Sequence, residues 1–98
     1  MSTWKTTWKA SRALKAYEGL MARGLIFSVD YGDGEAVSDL EEAIDCYGRA
    51  LTIASRMIPK GSDADDLDSR MRWETRAKMA DTALGEMQTT LRRRFGLY

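Results

Sequence analysis

The chain has no histidine, one cysteine, one proline and no net charge among its 98 residues. A lone cysteine, Cys46, cannot close an internal disulfide, and without histidine the usual structural zinc sets cannot form. Ser-His, Cys-His and His-metal chemistry are excluded with it. Fifteen Lys plus Arg balance fifteen Asp plus Glu, which argues against a nucleic-acid binder working by counterion release. The longest uncharged apolar stretch, Gly24 to Val29, is far below the ~20 residues that span a bilayer. The N-terminus lacks the apolar region of a secretory leader, so the expectation is a cytoplasmic protein. What remains is a chain 44% hydrophobic, with three Trp and six Met, sized for one domain and one core.

Two segments read as breaks: Asp30-Tyr31-Gly32-Asp33-Gly34, and the stretch from Pro59-Lys60-Gly61-Ser62-Asp63 to Asp66. They leave three segments of helical length, and short connections make sequential helices antiparallel neighbours. The expected fold is therefore all-α, an antiparallel three-helix bundle running up-down-up. Residues 1–9 would extend the first helix and 10–95 would form the single domain. In the second segment Val37, Leu40, Ile44, Tyr47, Leu51, Ala54 and Ile58 alternate by three and four. Ala43, Ala50 and Met57 widen that seam enough to touch two partners. Ser38-Asp39-Leu40-Glu41 reads as a capping box near its start, and Pro59 stops it. The third segment repeats the pattern with Trp73, Ala77, Ala80, Leu84, Met87, Leu91 and Phe95. Acidic residues from Asp63 to Asp68 precede it and Arg92, Arg93 and Arg94 end it, a polarity that complements the helix dipole.

The first segment places Ala10, Ala13, Leu14, Tyr17, Leu20, Met21 and Gly24 on one face. At 3.6 residues per turn Trp4, Trp8, Ala22 and Ile26 fall on another, with Gly19 beside them. A three-helix core does not need that second patch, which makes it a candidate partner surface. Catalysis has no comparable support. Asp30 and Glu41 stand at the first and twelfth positions of a calcium loop, but Gly32, Gly34 and Glu35 occupy positions needing two oxygen ligands and a glycine. No Gly-rich phosphate loop occurs, and the paired carboxylates Glu41-Glu42 and Asp65-Asp66 are adjacent and point apart. No cofactor or metal is expected. Lys5, Lys9, Arg12 and Lys15 form a basic run best read as a solvated face.

The run Glu42-Ala43-Ile44-Asp45-Cys46-Tyr47-Gly48-Arg49-Ala50-Leu51 resembles the second helix of MIT domains, the microtubule-interacting and trafficking modules. Arg76-Ala77-Lys78-Met79 with Thr82 and Leu84 is similar to the third helix of the spastin and spartin branch, and Ala16-Tyr17-Glu18 to its first. The resemblance covers residues 10 to 94. Tetratricopeptide repeats share the Ala-x-x-x-Tyr-x-x-Ala-Leu helix, but a single such unit needs stacked neighbours. The MIT resemblance implies docking of an amphipathic C-terminal helix of an ESCRT-III subunit beside the third helix, with recruitment of a larger protein to endosomes or other membrane-remodelling sites. The groove it implies in the spastin branch lies between the first and third helices. There Gly19, Ala22 and Ile26 would face Met79, Ala83, Glu86 and Thr90. The groove beside Cys46, Ala50, Ile53 and Met57 is the alternative. As an isolated domain the docking module is expected to be monomeric; a different class, a self-associating bundle with Trp4, Trp8 and Ile26 as its seam, competes with it.

Overall fold

The computed structural model of the chain describes residues 3–58 and 67–96, with side chains from Ser11 onward. Its elements are three helices, α1 (Thr3–Gly34), α2 (Val37–Met57) and α3 (Leu67–Phe95). The all-α three-helix bundle expected from the sequence is the fold, and the described residues contain no strand. Trp4, Trp8, Lys5 and Lys9 belong to α1, but their side chains lie outside the described set, as do Pro59 and the acidic residues Asp63 to Asp66.

The first break falls later than the sequence suggests. Asp30 to Gly34 continue α1, and the chain turns only at Glu35 and Ala36. Glu35 adopts a left-handed φ of 54° and its N–H donates to the Tyr31 carbonyl at 2.6 Å. That is the bond by which a residue just past a helix end satisfies the fourth carbonyl back. Gly96, at φ 63°, ends α3 the same way, donating to the Arg92 carbonyl at 2.9 Å. The helix persists through Gly32 and Gly34 because Tyr31 is buried against Leu40 and Leu91, and its ring meets Phe95 edge-on at 6.4 Å. The capping box does not form: Val37 already starts α2, so Ser38 lies inside it, and Ala36 at the cap offers no side-chain bond. The other end behaves as expected. Ile58 is extended (ψ 118°), the conformation imposed on a residue preceding proline.

α2 is the central helix. Leu40, Ala43, Ala50 and Ala54 are wholly buried, Cys46 and Tyr47 nearly so, and α2 packs along both α1 and α3. Alanine on a helix with two neighbours lets both axes approach closely. Where α2 crosses α1 the fit is tightest, with the Tyr47 ring pressed against Gly24. α1 and α3 run parallel, tied at one end by Tyr17 and Trp73 and at the other by Tyr31 and Phe95. Tyr17 meets the Trp73 ring edge-on at 6.2 Å and donates to the Arg76 carbonyl at 2.8 Å, while the Arg76 guanidinium lies 4.6 Å from that ring centre. An exposed ion pair, Arg94 to Glu35 at 2.8 Å, joins the far end of α3 to the α1–α2 turn.

Candidate functional site

Between these two aromatic ties, α1 and α3 leave a shallow groove of about 620 Å³. Met21 of α1 contributes one wall; Thr75, Met79, Ala83 and Glu86 of α3 contribute much of the other, with Lys78 and Thr82 at the rim. The pattern follows from helical spacing. Trp73, Ala80 and Leu91 point into the core, so residues at Met79, Ala83 and Glu86 are rotated roughly a quarter turn or more toward the edge. Met79 stands 57% exposed, a large, unbranched and flexible side chain. The Thr75 hydroxyl bonds back to the Met71 carbonyl at 2.8 Å, which occupies its donor. Lys78 and Glu86 are two turns apart on α3, about 12 Å along the axis, and place opposite charges at the two ends of the apolar stretch.

The residues singled out in the sequence separate into two places. Met79, Ala83 and Glu86 come together in this groove. Thr90 lies one turn further on, half-buried, with its hydroxyl bonded to the Glu86 carbonyl at 2.9 Å. Gly19, Ala22 and Ile26 do not face them; they lie on the outward side of α1, exposed to solvent. The groove's α1 wall is Met21 instead, which the sequence assigned to the core face. Ile26 reaches the rim of a second depression, between α1 and α2, shared with Phe27, Arg23, Glu42, Asp45 and Cys46. Of the alternative groove residues, Ala50 is wholly buried, Cys46 borders that second depression, and Ile53 and Met57 border a third beside Ala13 and Ala16.

The pKa shifts among the described residues all raise buried thiol and phenol groups. Burial pushes the Cys46 thiol up, Asp45 and Glu42 push it further, and Arg23 and Arg49 oppose them. Such a thiol is protonated and inert near neutral pH. Burial likewise raises the Tyr47 hydroxyl, with Glu86 of the groove adding to the shift. Among the described residues no group of three or more Cys, Asp or Glu side chains is placed to hold a metal ion. The same residues include no helix long and apolar enough to cross a membrane.

Fold and groove together define a small helical bundle with an open, apolar-floored channel between two parallel helices. Comparisons of the chain with family models, curated proteins and solved structures found no match.

Proposed function

We propose that the chain is a protein-interaction module of the MIT kind, whose α1–α3 groove receives an amphipathic C-terminal helix of an ESCRT-III subunit. Docking would bring a parent protein, such as a microtubule-severing ATPase or a spartin-like protein, to endosomes and other sites of membrane remodelling. The observation that carries the reading is Met79, exposed beside the small Ala83 and facing Met21 across the groove. Small residues let a guest backbone approach, and flexible methionines fit its aliphatic anchors. Lys78 and Glu86 would set the guest's direction, favouring an acidic residue near one end and a basic one near the other.

Fluorescence anisotropy with a panel of labelled ESCRT-III tails tests the proposal. An interface of this size is expected to bind in the micromolar range, roughly 1–100 µM. Met79→Lys, at an exposed position, should weaken the bound tail by about tenfold while leaving the helical spectrum intact. If no tail binds at about 100 µM, the reading is wrong.

A further inference from the structure

α1 carries a second apolar stripe that its own bundle leaves uncovered. Leu25, Ile26 and Val29 are 60%, 58% and 55% exposed, the only cluster of large exposed apolar side chains on α1 among the described residues. Along the outward face the residues run Lys15, Gly19, Ala22, Ile26, Val29 and Asp33, all exposed. Their spacing alternates four and three throughout, the signature of a helix–helix seam. The opposite face of the same helix, with Tyr17, Gly24 and Tyr31, is the one committed to the core.

We propose that this face is an antiparallel α1–α1′ interface between two copies of the chain, with the two-fold axis passing beside position 24. The identity of the occupant follows from the sequence of the stripe, which is complementary to its own reverse. About that axis Ala22 of one copy faces Ile26 of the other, Gly19 faces Val29, and Lys15 faces Asp33. Each small residue meets a large one, and each basic residue an acidic one. The heptad positions agree, since antiparallel helices pair an a position with a d position, as these three pairs do. Leu25 lies beside the axis on the α3 side and packs near its own symmetry mate. Arg23 flanks the axis on the other side, in a depression it shares with the Glu42 carboxylate and with the Arg49–Asp45 ion pair (3.2 Å), so the depression carries no net charge. A parallel pairing would set Lys15 against Lys15 and Asp33 against Asp33, so the charges also select the direction.

A single helix pair falls below the ~1,200 Å² of a stable interface, so the dimer is reversible and concentration-dependent. It leaves Met21 and Met79 free and is independent of tail docking. Sedimentation velocity of the full chain from about 5 to 500 µM should show a monomer giving way to a dimer. Ile26→Lys should abolish the dimer without altering the helical spectrum, and Met79→Lys should leave it intact. Lys15→Asp and Asp33→Lys should each weaken association roughly three- to tenfold, since every dimer holds two such pairs. The double variant Lys15→Asp/Asp33→Lys should restore it, which a general loss of stability cannot mimic. A strict monomer at 500 µM overturns the proposal. So does a dimer indifferent to Ile26→Lys and to the charge reversals, which would place the contact elsewhere.

Discussion

A methyl group added at Gly24 tests how closely α1 and α2 approach. The β-carbon of Gly24→Ala would lie 2.6 Å from Cε1, 2.8 Å from Cδ1 and 2.8 Å from Cζ of Tyr47. Those atoms belong to a flat ring that is only 6% exposed, so the ring cannot swing aside without moving what surrounds it. Overpacking of this kind costs about 1–3 kcal/mol. Alanine simultaneously gains about 1 kcal/mol over glycine inside a helix. The sum leaves Gly24→Ala neutral to about 2 kcal/mol less stable. Gly85 supplies the control, because a β-carbon there meets nothing within 4 Å. Gly85→Ala keeps the helical gain alone and should be about 0.5–1 kcal/mol more stable. The two variants should therefore differ by about 1–3 kcal/mol, or several degrees in Tm for a chain of this length. Urea unfolding followed by circular dichroism reads the difference, and Tyr47→Leu in a double-mutant cycle should recover part of it. Equal stabilisation by both alanines would refute the close contact and with it the tight α1–α2 crossing.

Two further perturbations probe the turn and the buried thiol. Glu35→Gly should raise stability by about 0.5–1 kcal/mol, because a left-handed backbone burdens any residue with a β-carbon and the exposed pair with Arg94 contributes little. Glu35→Ala keeps the strain and loses the pair, so thermal melts should move the two variants in opposite directions; a common shift would contradict the turn. Cys46, Tyr17 and Tyr47 all hold their protons more tightly in the folded chain, chiefly through burial. Above a pH of about 8.5 for a thiol and about 10 for a phenol, the unfolded chain ionises first and binds fewer protons than the folded one. The stability from these groups is thus fully present below that range and declines as pH rises through it. Urea midpoints at pH 7, 9 and 10 should fall in that order, less steeply for Cys46→Ala between the first two; a flat profile would contradict the burial.

The seams of α2 and α3 were legible because their apolar residues repeat by three and four for many turns, and Leu40, Tyr47, Ala54, Trp73, Ala80 and Leu91 are indeed buried. The first turn was not. Four glycine and aspartate residues around Tyr31 look like a loop by composition, yet a single buried ring holds them helical, through contacts that include Leu91, sixty positions away. The glycine that a left-handed helix end favours is absent there: Glu35 takes that conformation one residue after Gly34. The groove was half legible. Its α3 side follows from rotation about one axis, which spacing determines. Its α1 side depends on how α1 is turned relative to α3, and the pairings of Tyr17 with Trp73 and Tyr31 with Phe95 determine that turn. They bring Met21 to the groove and carry Gly19, Ala22 and Ile26 to the outside.

That rotation explains why one helix can present two surfaces of different character. α2 is lined with alanine and takes up the core-facing sides of both neighbours, so neither α1 nor α3 must bury more than one stripe. On α1, Leu20 packs on the α2 side of that stripe and Met21 lies on the α3 side, where it remains accessible from the groove. The outward residues Gly19, Ala22, Ile26 and Val29 are exposed and belong to neither buried cluster, so the core does not dictate their seam spacing. A solvent-facing stripe under no packing constraint is most cheaply filled with charged residues, as Glu18, Asp30 and Lys15 fill the neighbouring positions. Four successive seam positions without a charge, bounded by a lysine at one end and an aspartate at the other, are the pattern that the proposed α1–α1′ pairing would use.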